Sequence, residues 1–93
     1  MREKTIEQKL VRTVRGMGGI SPKFISPGMD GMPDRIILLS GGRIAFAEVK
    51  ALGKRLRPQQ VKRKRQLVSL GFQVYVIDSP EQIGGVLDAI QAP

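Results

Sequence analysis

The stretch GMPDRIILLSGGRIAFAEVK, residues 31–50, decides how this chain folds, because it is a hairpin pattern that carries charges at one end. Two strand-forming runs, Ile36–Leu39 and Ile44–Val49, flank Ser40-Gly41-Gly42, and glycine-rich links of this kind close β-hairpins. Asp34 opens the first run, while Glu48 and Lys50 close the second. Side chains alternate along a strand, so Ile44, Phe46, Glu48 and Lys50 share one face and Ala45, Ala47 and Val49 the other. Both faces begin apolar, as in a central strand covered on both sides. A carboxylate and an ammonium on such a strand are costly to bury unless they are paired or bound to a metal. An ordinary Glu48–Lys50 surface pair, where the strand leaves the core, is the simpler reading.

Asp34 makes the register matter. A two-residue Gly41-Gly42 loop sets Asp34 opposite Val49 and turns it away from Glu48. A three-residue Ser40-Gly41-Gly42 loop, with Gly42 left-handed, shifts the register by one. Asp34 then faces Glu48, Ile36 faces Phe46, and Leu38 faces Ile44. The loop sequence permits either arrangement, and only the second gathers two acids and Lys50 at one rim.

Composition limits what that rim can be. Ninety-three residues with 41% apolar content make one domain, residues 1–93, with a single modest core. There is no cysteine and no histidine. Disulfides, thiolate sites, Ser-His-Asp triads and His-metal nuclease motifs are therefore excluded. A metal held by side chains must be held by oxygen, which favours Mg²⁺ or Mn²⁺. No apolar run approaches the roughly 20 residues that span a bilayer, and the N-terminus lacks a signal-peptide h-region. A soluble intracellular protein of the cytoplasm is expected, with no membrane partner and no nucleotide cofactor.

The net charge of +8 is distributed unevenly. All 16 bases fall within residues 1–65, and the remaining 28 residues hold acids but no bases. Lys54, Arg55, Arg57, Lys62, Arg63, Lys64 and Arg65 form the densest cluster, a surface that suits the backbone phosphates of a nucleic acid. A basic face kept for solubility is the plainer alternative.

Around the hairpin, Ile6, Leu10, Val11 and Val14 mark an amphipathic helix over 3–16, stopped at Gly16–Gly19. Residues 22–26 read as a short edge strand, and residues 26–33 as a loop of turn formers. Pro58 opens a helix to about Leu70, with Val61, Lys64, Leu67 and Val68 as a thin stripe. Residues 72–77 make a strand, and Ser79-Pro80-Glu81 opens a last helix carrying Ile83, Val86, Leu87 and Ile90. The expected architecture is α/β, a mixed central sheet flanked by helices in the order α-β-β-β-α-β-α.

Two carboxylates converging at a sheet end form a site for a hard cation, which binds a scissile phosphate and neutralises developing charge. Lys50 is suited to orient an attacking water, to stabilise the pentavalent phosphate, or to act as the base. Pro33 fixes the approach to Asp34, Gly31 allows a sharp turn close to DNA, and Asp30 reads as a turn residue.

Pro33-Asp34, a 13-residue gap and Glu48-Val49-Lys50 resemble the PD-(D/E)XK nucleases. With the preceding SPGMDGMPD loop, Leu56-x-Pro58-x-Gln60 and the GFQVYVID strand, the chain resembles the VRR-NUC domain over about residues 3–83. That resemblance implies a restriction-endonuclease-like core using Mg²⁺ or Mn²⁺. Asp34 and Glu48 would be metal ligands, the Val49 carbonyl a further one, and Lys50 the catalytic lysine. Gln60 would support the site from the second helix. A glutamate of the first helix would also belong to it, with Glu7 preferred and Glu3 the fallback. The resemblance further implies endonucleolytic cleavage of branched DNA. A chain this short is expected to reach a four-way (Holliday) junction as a homodimer, with two active sites for two opposed strands. A non-catalytic nucleic-acid-binding module explains the charge equally well but leaves the acids unexplained. A subunit of a larger replication complex is a third reading.

Overall fold

The computed structural model of the protein describes residues 2–93. Its elements are α1 (Glu3–Gly16), β1 (Arg35–Leu39), β2 (Arg43–Val49), α2 (Pro58–Ser69), β3 (Gln73–Ile77) and α3 (Gln82–Gln91). The sheet runs β1-β2-β3, with β1 antiparallel and β3 parallel to the central β2. A mixed α/β sheet flanked by helices is therefore the fold. No helix among the described residues is long and apolar enough to cross a membrane.

The two faces of β2 are packed differently, as its alternation requires. Ala45, Ala47 and Val49 join Ile37, Leu39 and Ile77 beneath Ile6, Leu10 and Val14 of α1 and Ile83, Leu87 and Ile90 of α3. The alanines leave room on the central strand for the large side chains of two helices. On the opposite face a smaller cluster of Phe46, Leu67 and Val74 takes Met32 and Ile36 from its margin. The expected α2 stripe shifts accordingly. Gln60 and Leu67 are the buried residues of α2, while Val68 stays 51% exposed because the helix meets the sheet along its Gln60 side.

Residues 22–26 do not form the strand expected of them. Isolated bridges join Ile20 to Leu38 and Lys23 to Arg35, backed by Phe24 N–H donating to the Asp34 carbonyl at 2.9 Å. Pro22 lies between the bridges and has no N–H to give, so the ladder cannot run through it; its carbonyl still accepts from Ile36 at 3.1 Å. The segment covers the open edge of β1 without becoming regular, and residues 25 and 26 lie beyond the pairing.

Candidate active site

The hairpin takes the register that brings the acids together. Leu39 pairs with Arg43, Leu38 with Ile44, Ile36 with Phe46 and Arg35 with Ala47, so the next position sets Asp34 across from Glu48. Ser40–Gly42 form the three-residue loop. Both Gly41 (φ 80°) and Gly42 (φ 73°) are left-handed, one more than the register alone demands.

Each charged group at this rim is held by a specific partner. Asp34 Oδ1 accepts a hydrogen bond from Val49 N–H at 3.2 Å, so the acid is anchored to the end of β2. Glu48 is 6% exposed, and its Oε2 accepts from Gln60 Nε2 at 3.1 Å. Gln60 is itself fixed, because its Oε1 accepts the Arg57 N–H at 2.8 Å and satisfies one of the free donors at the start of α2. Lys50 Nζ lies 3.8 Å from the same Glu48 oxygen, and its own N–H donates to the Ile77 carbonyl at 2.9 Å.

Burial raises both acids, and neighbouring carboxylates add to the rise. Burial pushes Glu48 up to about 7, and the Asp34 charge adds to the rise against the opposing pull of Lys50. Asp34 is raised by burial, opposed by the Val49 N–H, and raised further by the charges of Glu7 and Glu3. Paired carboxylates with raised pKa values are a mark of functional sites. Among the described residues no three acids gather into a ready-made cage. Two repelling carboxylates at an oxygen-only rim nevertheless fit a hard divalent ion that completes its shell with backbone oxygen and water.

No family model matches the chain. A protein of Acyrthosiphon pisum secondary endosymbiont phage 1, "Putative nuclease p44", is 44% identical over 90 residues, spanning 97% of this chain and 96% of its own. A solved structure described as a "VRR_NUC domain" superposes with a TM-score of 0.88 at 25% identity, over 95% of this chain and 96% of that one. The chain belongs to the VRR-NUC nuclease family.

In this VRR-NUC domain the remaining sequence candidates are spread around the rim. Glu7 is turned to Arg35, whose Nη2 and Nε donate to Glu7 Oε1 at 2.5 and 3.1 Å. Its charge reaches Asp34, whereas the charge of Glu3 reaches both Asp34 and Glu48. Arg35 escaped the sequence reading altogether. It occupies the first strand position after Asp34, and its partner lies 28 residues upstream in another element, so no local pattern reveals the pair.

The basic cluster is divided. Lys54, Arg55, Arg57, Lys62 and Arg65 are exposed. Arg63 is committed to the Asp30 carbonyl at 3.1 Å and to Gln66 Oε1 at 2.7 Å, while Lys64 borders a small hollow shared with Glu48 and Gln60. Asp30 is exposed, and its carboxylate faces Arg57 at 3.8 Å. The close approach made by Gly31 is to the backbone of Gln59 and Gln60 at the start of α2.

Proposed function

We propose that this nuclease domain hydrolyses phosphodiester bonds in branched DNA, using Mg²⁺ or Mn²⁺ and the Asp34, Glu48 and Lys50 constellation. The observation that carries the reading is the hairpin register, which sets Asp34 across from Glu48 with Lys50 on the Glu48 face. Asp34, Glu48 and the Val49 carbonyl would hold the ion, which when bound supplies Lewis-acid activation of water and charge neutralisation at the phosphate. Lys50 orients the attacking water and stabilises charge on the pentavalent phosphate. Gln60 is a positioning residue, keeping Glu48 in one rotamer from the first turn of α2. Glu3 and Glu7 contribute negative potential at the rim, with Glu7 acting through Arg35. Lys54, Arg55, Arg57, Lys62 and Arg65 hold backbone phosphates, aided by Lys64, and Arg63 braces the loop through Asp30.

Two copies suit a four-way junction, whose opposed strands both need cutting. An apolar face is open for such pairing, with Val68, Leu70 and Phe72 at 51%, 67% and 41% exposure. The test is a nicking assay over duplex, flap, fork and four-way junction with each metal, beside a mass measurement in solution. Asp34→Ala and Lys50→Ala are expected to remove cleavage while leaving DNA binding in place. Cleavage that survives both substitutions sinks the assignment. Binding with no cleavage by the unaltered protein under any metal makes the domain a non-catalytic binding module. Gln60→Ala is expected to lower cleavage about tenfold with little loss of binding, and an unchanged rate removes its positioning role.

A further inference from the structure

The α1 side of the molecule carries a groove whose bases Lys4, Arg12 and Lys23 have no part in the reading above. It is about 920 Å³ and is lined by Glu3, Lys4, Glu7, Arg12, Lys23 and Arg35, with Val11 among them. A second hollow of about 180 Å³ continues past Val11 to Arg15, Ser21 and Pro22. Arg35 makes the groove rigid, because it bonds Glu7 of α1 and donates through Nη1 to the Ser21 carbonyl at 2.8 Å. Glu7 is thereby paired, and Lys4, Arg12 and Lys23 outnumber Glu3, the groove's other acid. Lys4, Arg12, Arg15 and Lys23 are exposed and, among the described residues, form no ion pair. Ser21 is 6% exposed, and its hydroxyl has no hydrogen-bond partner. A buried hydroxyl without a partner is costly, which marks it as waiting for an acceptor or donor from outside.

We propose that this groove is a second phosphate track, holding an arm of branched DNA other than the arm held by residues 54–65. The inference rests on the nuclease reading above and adds to it. α1 and α2 pack on opposite faces of the sheet, and the Asp34–Glu48 rim is reached electrostatically by Glu3 and Glu7 of α1 and hydrogen-bonded by Gln60 of α2. DNA whose arms diverge at that rim meets positive charge on both sides, whereas a straight duplex following the α2 surface does not bend back to α1. A single copy then discriminates branch from duplex by counting phosphates on two faces.

Anisotropy of a labelled four-way junction and of a labelled duplex, measured in EDTA across a salt series, tests this. Arg12→Ala/Lys23→Ala is expected to weaken junction binding about tenfold and flatten its log–log salt slope by about 2, with duplex affinity changed less than about threefold. Lys62→Ala/Arg65→Ala is expected to weaken both. Ser21→Ala leaves the charge untouched, and is expected to lower junction affinity about threefold with an unchanged or raised Tm, since it deletes an unpartnered polar group. Wild-type junction affinity in the Arg12/Lys23 variant overturns the second track, as do equal losses on junction and duplex. Wild-type affinity in Ser21→Ala overturns the assignment of the hollow to it. If the unaltered protein binds and cuts DNA while the α1 variants behave like it, the track alone fails. If the unaltered protein binds no DNA, the nuclease reading fails first.

Discussion

Glu48→Gln is expected to abolish cleavage, by a factor of 1,000 or more on the order-of-magnitude scale of lost charge stabilisation, and to make the metal-free protein more stable. The amide keeps the shape of the side chain and an oxygen for Gln60 Nε2, so the hydrogen bond at 3.1 Å survives. It discards the buried negative charge assigned above to holding the metal. In the folded protein the Glu48 pKa stands at about 7 against an ordinary 4.5. The native state therefore keeps a proton that the unfolded chain gives up between those values. Stability falls as pH rises through that window, and the full cost is present above pH 7.

Removing the charge returns that cost, on the order of 1 kcal/mol once solvent screening at the rim is allowed for, or about 4–8 °C in Tm for a domain this small. The check is thermal melting of both proteins at pH 5 and pH 8, in EDTA and in Mg²⁺. The gain is expected at pH 8 in EDTA and shrinks at pH 5. Added Mg²⁺ raises the wild-type Tm and leaves the variant unmoved. A variant that cleaves, or one less stable than wild type at pH 8 in EDTA, contradicts the site. A protein that gains stability by losing its function is the trade expected where repelling charges are held together for chemistry.

Much of this was legible in the chain itself, and the limits have physical causes. The hairpin, its central strand and the three helices follow from alternation and from periods near 3.6, because burial selects those positions directly. Ile6, Leu10 and Val14 are fully buried as their spacing demands. Ser40-Gly41-Gly42 accommodates either loop length, so the sequence permits two registers; the backbone resolves them with two left-handed glycines rather than one. Residues 22–26 looked like a strand by composition, and the missing Pro22 N–H reduced them to bridges. The α1 groove was hidden for another reason. Lys4, Arg12 and Lys23 are scattered in sequence, so they never make a run like 62–65, and only the folding of residues 20–23 beside α1 assembles them. Arg35 and Ser21 belong to the same class, with significance set by partners that are remote in sequence or absent.

Gly31→Ala is expected to cost roughly 2–5 kcal/mol and to impair cleavage in whatever fraction still folds. Two effects combine at this position. Gly31 has φ 83°, a left-handed conformation that an L side chain adopts only under strain. An added Cβ would also overlap the Gln59 carbonyl oxygen and lie 2.7 Å from its carbon and 3.1 Å from the Gln60 nitrogen. Those atoms are backbone in the first turn of α2, so no rotamer change relieves the clash. Either the 26–33 loop lifts away, or the start of α2 moves. The second movement pulls Gln60 from Glu48 and loosens the site, because Gln60 is tied to the Arg57 N–H at the same helix end. Gly28→Ala is the matched control, since nothing lies within 4 Å of a Cβ there and its φ is not positive. Urea unfolding of the two variants, with cleavage assayed at a temperature where both remain folded, separates the effects. Gly28→Ala should match wild type in both measurements. If Gly31→Ala did so too, the loop would not be packed on α2 as described, and the support of Glu48 through Gln60 would have to come from elsewhere.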